Sequence, residues 1–270
     1  MGRWRMKHRQ KYCIVFLIIS SLLLNYSASA IIIRHDRKDS KYVKLAKPYA
    51  KIICQMNLEE PGKAPDGVGT LIFPNWVLTA AHVGTEVKVG HLVTIAGKNY
   101  QVEKVFLHPD YEDGGRHDIA LLELKTAVKG VKPAELFRER NEVGQIFTMV
   151  GKGDWGTGLT GPTTNDRKFR GAMNKVDEAS EAWLKFVFDN PEKSPEKALD
   201  LEGISGPGDS GGPAFIKKDG KIFLIGVGSG QSTSATGGRE GVYGVTEYYV
   251  RVSSYLGWIE KVIHTEKENK

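Results

Sequence analysis

The sequence predicts an all-β fold of barrel or sandwich units, closed by a single helix at the C-terminal end. Two observations lead there. Short apolar runs and alternations rich in Val, Ile and Phe recur along the chain, bounded by Gly, Pro, Asp or Asn. Only Ser254–Ile263 carries an extended 3.6-residue period, with Leu256, Ile259, Val262 and Ile263 on one helical face. The 31 glycines among 270 residues agree with a chain of many turns. At roughly 100–200 residues per domain, this length gives one large domain or two small ones. A composition 40 % hydrophobic and 26 % charged excludes wholesale disorder and a polytopic membrane protein.

The first element is a leader. Residues 1–12 hold Arg3, Arg5, Lys7, Arg9 and Lys11 without an acid, followed by the apolar run Cys13–Leu24 and by Asn25-Tyr26-Ser27-Ala28-Ser29-Ala30. A basic start, a short apolar core and an A-x-A end predict a secretory signal peptide cleaved after Ala30. The apolar core falls short of the ~20 residues that a spanning helix needs. The whole chain has 38 basic and 32 acidic residues, and a net of +6 invites a nucleic-acid or anionic-membrane partner. Subtracting the five leader charges leaves 33 basic against 32 acidic residues, a net of +1. No nucleic-acid partner and no stable membrane association are therefore expected after cleavage. Cleavage also removes Cys13, so the remaining Cys54 has no internal disulfide partner. Its apolar surroundings predict core filler.

Strands are expected at Ala50–Met56, Gly67–Phe73, Trp76–Thr79, His91–Ile95, Gln101–Leu107 and Ile119–Leu124. Further strands are expected at Phe147–Val150, Trp183–Phe188, Ala214–Ile216 and Ile222–Val227. The polar tail His264–Lys270 is expected to fray. The loop between His91 and Leu107 has few acidic residues, so no calcium site is expected there, and no cofactor or metal elsewhere.

Three segments carry chemistry. They are Thr79-Ala80-Ala81-His82, Asp118-Ile119-Ala120-Leu121-Leu122 and Gly206-Pro207-Gly208-Asp209-Ser210-Gly211-Gly212-Pro213. Singly, each reads as a turn or a strand end. Together they supply the parts of nucleophilic acyl transfer. A serine hydroxyl becomes a nucleophile when a histidine takes its proton, and a buried carboxylate fixes that histidine's tautomer. Glycines around the serine let main-chain N–H groups face a developing oxyanion.

These strings resemble the trypsin/chymotrypsin family of serine endopeptidases, from about Ile31 to Ile259. The resemblance implies two perpendicular six-stranded β-barrels and a C-terminal helix, divided as 31–140 and 141–270. It implies His82 as general base, Asp118 as its orienting carboxylate and Ser210 as nucleophile, with the N–H groups of Gly208 and Ser210 forming the oxyanion hole. Ser229 falls where the family keeps a serine that supports the aspartate. The scarcity of cysteine fits a bacterial exported member. The implied activity is peptide-bond hydrolysis through an acyl-enzyme by a secreted or periplasmic monomer acting on proteins or peptides. The alternative is a catalytically silent binding protein on the same fold.

Two further expectations follow from the resemblance. Family members commonly gain activity when a new N-terminal Ile or Val pairs with the aspartate before the nucleophile, here Ile31 and Asp209. The competing reading leaves residues 31–45 on the surface and satisfies Asp209 with backbone N–H groups. The specificity pocket would have Ile204 and Ser205 at its base with Ser229 and Gly230 on its wall, which favours an apolar or small P1 residue. One register places Glu247 at the rear wall and would restore a preference for basic residues. The other uses Gly241-Val242-Tyr243 and leaves the wall neutral. Two decoys remain. His117 adjoins Asp118 but is expected to face the opposite side. Gly151-Lys152-Gly153-Asp154-Trp155-Gly156 satisfies a dinucleotide pattern, yet no long helix follows to face a phosphate.

Overall fold

The computed structural model describes residues 31–57 and 67–269; the leader and its cleavage point lie outside them, Ile31 excepted. Six antiparallel strands close a barrel. Ile53–Met56 pairs with Gly67–Phe73, which continues through Trp76–Thr79, Ala120–Leu124, Lys98–Leu107 and Leu92–Ile95 back to Ile53–Met56. Val, Ile and Leu dominate these strands, and Cys54, Trp76, Val77, Leu78, Leu121 and Leu122 are all buried inside. Cys54 is the core filler its sequence context suggested, and burial pushes its thiol well up.

The second half is built differently from a closed six-stranded barrel. An eight-stranded sheet runs through Arg170–Lys175, Ile146–Gly151, Pro213–Lys218, Lys221–Ser232, Thr246–Arg251, Trp183–Val187 and Glu178–Ala179, with Glu135–Leu136 added in parallel. A four-stranded sheet orders Gly161–Thr164, Trp155–Thr157, Ile32–Ile33 and Gly203–Ile204. Leu256–Glu268 is the terminal helix, buried through Ile259 and Ile263. It continues past His264, so the tail expected to fray is helical as far as Glu268.

The N-terminal segment departs from the surface reading. Ile31, Ile32, Ile33 and Arg34 are buried, and Ile32 pairs with both Gly156 and Ile204. A helix not expected from the sequence follows at Asp39–Ala46, with Tyr42 and Ala46 on its buried side. Arg170, fully buried, grips that helix through Asp39 at 2.6 Å and also holds Asp166 at 2.8 Å. The Tyr42 hydroxyl accepts the Arg34 N–H at 3.2 Å and donates to the Glu202 carbonyl at 3.0 Å. These buried polar contacts lock the first residues against the loops around Gly203.

Candidate active site

His82 and Asp118 sit at neighbouring strand ends. The barrel strands Trp76–Thr79 and Ala120–Leu124 pair with Thr79 opposite Ala120. His82 follows the first strand in the short helix Ala81–Glu86, and Asp118 precedes the second. The register therefore delivers the two side chains to one point. The His82 main-chain N–H donates to Asp118 Oδ1 at 2.8 Å, and His82 Nδ1 meets Asp118 Oδ2 at 2.7 Å. A carboxylate accepts only, so Nδ1 carries the proton and Nε2 is left as a base. Ser229 Oγ donates to the same Oδ2 at 2.6 Å. Burial alone would raise the Asp118 carboxyl, but the bonds from His82 and Ser229 hold it below the usual carboxylate range.

His117 lies elsewhere, as expected, for a different reason. It precedes the strand, with φ of +60°, and its ring stacks on His108 at 4.8 Å. Its Nδ1 lies 3.2 Å from the Tyr255 hydroxyl.

The loop that carries Ser210 is fastened from both halves of the molecule. Val68 of the barrel donates to the Ser210 carbonyl at 2.8 Å, while Gly211 donates to the Gly228 carbonyl at 2.9 Å. Gly208 and Gly211 have φ of +86° and +77°, a region that glycine enters without strain. At Gly211 a Cβ would also lie 2.2 Å from Thr79 Oγ1 and 2.3 Å from the Val68 carbonyl. The N–H groups of Gly208 and Ser210 have no hydrogen-bond partner among the described residues, so both remain available as donors. The Ser210 hydroxyl makes no hydrogen bond to His82 in this structure. A 740 Å³ cleft lined by His82 and a 200 Å³ cavity lined by Ser210 share Ser229, Gly230 and Gln231 as a common wall.

Asp209, next to Ser210, is turned inward and buried. Its Oδ1 accepts the N–H groups of Lys152 and Gly153 at 3.1 and 3.2 Å, and Oδ2 accepts that of Gly206 at 3.2 Å. Burial nevertheless pushes this carboxyl well above its ordinary range. This explains the glycine-rich string that mimics a dinucleotide motif. A Cβ on Gly151 would lie 2.0 Å from Asp209 Oδ1, and the strand Trp155–Thr157 follows instead of a helix.

A family model described as Trypsin matches residues 54–259. The chain belongs to the trypsin family. Granzyme B of Rattus norvegicus is 29 % identical over 264 residues, covering 93 % of this chain and 98 % of that protein. The chain is thus a trypsin-like serine endopeptidase, whose substrates are proteins or peptides. Among the described residues no helix is long and apolar enough to cross a membrane.

The pocket of this trypsin-family chain differs from the base drawn from its sequence. Ile204 is fully buried and does not line the cavity; Ser205 does, with Gln231 and Glu240. Ile204 is held in place by pairing with Ile32. Gly228 pairs with Tyr249 and Gln231 with Glu247, and Glu247, which does not itself line the cavity, accepts the Ser205 N–H at 2.9 Å. Gly241 contributes only its N–H, to Gln231 Oε1 at 3.1 Å, and Tyr243 turns away to His35. Gln231 and Glu240 were not singled out from the sequence. Gln231 was within reach, two residues beyond Ser229 on a strand; Glu240 arrives on a loop and leaves no such signal.

Proposed function

We propose that this protein is a secreted peptidase that cleaves peptide bonds through an acyl-enzyme on Ser210. His82 Nε2 takes the Ser210 proton as Oγ attacks the carbonyl carbon, and the negative charge moves to the carbonyl oxygen. The N–H groups of Gly208 and Ser210 stabilise that oxygen. His82, then protonated, gives its proton to the departing amine, and water repeats the sequence to free the acid. Asp118 stays ionised beside the imidazolium. The observation that most supports this reading is the Asp118 carboxylate held between His82 Nδ1 and Ser229. It fixes the tautomer that general-base catalysis requires.

Removal of the leader after Ala30 would give Ile31 an α-ammonium next to a segment already buried. Asp209 is a buried carboxylate with main-chain partners only, and a cation would relieve the cost of ionising it. In this reading export and activation are one event, and the mature protein acts as a monomer outside the cytoplasm. The P1 residue reaches the polar end formed by Ser205 and Gln231, not an apolar floor at Ile204.

The rival, a silent binding protein, retains the fold but not the reactivity. A fluorophosphonate that modifies activated serines separates the two. Stoichiometric labelling at Ser210, lost in Ser210→Ala together with peptide hydrolysis, is the expected result. An unlabelled, folded wild-type protein would establish the rival.

A further inference from the structure

Where the chain crosses from the barrel to the second half, the surface combines open main chain, apolar walls and unbalanced positive charge. Residues 125–134 make that crossing, between the strands Ala120–Leu124 and Glu135–Leu136. Two cavities of 210 and 410 Å³ lie along it and share Lys132, Pro133 and Glu135. Neither is lined by His82, Asp118, Ser210 or any residue of the two cavities beside them. The crossing is fastened at both ends. Val128 donates its N–H to the Pro74 carbonyl at 2.6 Å, and Ala134 donates to the Leu71 carbonyl at 3.0 Å. Between these points the N–H groups of Gly130, Val131 and Lys132 and the carbonyls of 129–133 make no hydrogen bond among the described residues. They are solvent-facing groups that an extended chain laid alongside could pair.

Pro48, Ile52, Val131 and Ile222 give the smaller cavity apolar walls, and Ile72, Phe73 and Pro74 do the same for the larger one. Phe73 is 36 % exposed. The charge is one-sided. Lys51, Lys132 and Lys221 line the smaller cavity against a single acid, Glu135, and Lys221 already pairs with it at 3.1 Å. In the larger cavity Arg138 is held by Glu260 at 2.5 Å. Lys51 and Lys132 have no carboxylate partner among the described residues. Exposed Lys47 and Lys129, next in the chain to the lining residues Pro48 and Gly130, have none either. The chain after leader removal carries a net of only +1, so this grouping is local and does not follow from a basic composition.

We propose that this groove docks an extended acidic segment of a partner protein, with apolar side chains in the two cavities and carboxylates on Lys51 and Lys132. A sulfated polysaccharide would meet the ammonium groups. It has no apolar side chain for the cavities and no peptide amides for the main chain of 129–133. A neutral apolar peptide would leave the charge unanswered. Because the crossing is fixed to both halves, the groove is formed before the partner arrives, and little ordering cost falls on this chain. The ion pairs would be exposed, so they govern choice of partner and speed of encounter, while the apolar contacts hold the complex. None of this depends on Ser210 being the nucleophile.

The test is fluorescence anisotropy with a short labelled peptide of alternating glutamate and leucine. The protein is the mature chain carrying Ser210→Ala, so that the probe stays intact. Saturable binding is expected in about 50 mM salt, weakening severalfold in about 300 mM as the charges are screened. Adding Lys51→Glu and Lys132→Glu should weaken it about tenfold or more, because two attractive pairs become repulsive. The pair Lys88→Glu and Lys193→Glu, exposed lysines outside the groove, changes the net charge equally and should leave binding within about twofold. All four are exposed, and unchanged melting temperatures would show that the variants fold. Replacing leucine by serine in the probe should also abolish binding. The proposal is overturned if the peptide does not bind at low salt, if both lysine pairs weaken it equally, or if the serine probe binds as well. A heparin oligosaccharide of similar length that binds more tightly than the peptide and displaces it would assign the groove to sulfated polymers instead.

Discussion

Asp118 shows how much one carboxylate can be asked to do. It receives a main-chain N–H, an imidazole N–H and a serine hydroxyl, so both oxygens are used and the ring of His82 is held in one orientation. Asp118→Asn preserves the shape but can donate to Nδ1, which would move the imidazole proton to Nε2. An effect of about 10⁴ on kcat is expected, by the logic of tautomer control in such triads. Steady-state kinetics on a peptide substrate would read it, and a loss under tenfold would contradict the proposed role.

At the scale of elements, the N-terminal strand Ile32–Ile33 joins the pocket to the rest of the second half. Its pairing with Ile204 and Gly156 sets the main chain that leads into Ser205. If the α-ammonium of Ile31 reaches Asp209, one extra residue before Ile31 displaces the cation and leaves the buried carboxylate with its main-chain donors alone. Peptidase activity is then expected to fall by at least about a hundredfold, since a buried charge deprived of its partner costs about 3–5 kcal/mol. Equal activity of the two forms, measured after leader removal at defined ends, would show that main-chain donors suffice.

Elements also mark where the sequence was easy to read and where it was not. The barrel was legible because its strands alternate or run apolar, and Gly67–Phe73 and Trp76–Thr79 match the expected limits. The strands Arg170–Lys175 and Thr246–Arg251 were missed because they bury Arg170, Asn174, Glu247 and Arg251. A buried arginine looks like surface until its partners are known. For Arg251 these are the Glu142 carboxylate at 2.6 Å and the Ser180 carbonyl at 2.9 Å, both distant in sequence. The helix Asp39–Ala46 was hidden in the same way, since Tyr42 and Asp39 are held by residues far along the chain. His82, Asp118 and Ser210 stood out because each sits in a short string of its own. The contact between Ser205 and Glu247 depends on strand register, which one sequence left open.

For the whole molecule, buried carboxylates shape the response to pH. Glu202 is 1 % exposed and accepts the N–H groups of Asp189 and Leu199 at 2.7 and 2.5 Å. Burial, with repulsion from Asp189, pushes its carboxyl up to about 7, despite those two bonds. A folded-state value raised above the unfolded ~4.3 contributes stability that is fully present below that lower value and lost as pH rises toward 7. Glu202→Gln removes this dependence. The variant's melting temperature relative to wild type is therefore expected to rise between pH 5 and 7.5, as scanning calorimetry would record. A difference that stays flat or falls would mean that Glu202 is ionised throughout.

The hydrogen bond from Val68 to the Ser210 carbonyl has a mechanical meaning as well. Ser210, the proposed nucleophile, belongs to one half of the molecule, yet its own main chain is moored to a barrel strand of the other. Val68 and Thr79 also occupy the space beside Gly211 where a side chain would stand. Any ligand that wedges the halves apart must tug directly on the peptide unit of Ser210. The seam between the halves is thus a tensioning point for the loop that carries Ser210, and the Val68 amide is a gauge of how firmly it is closed.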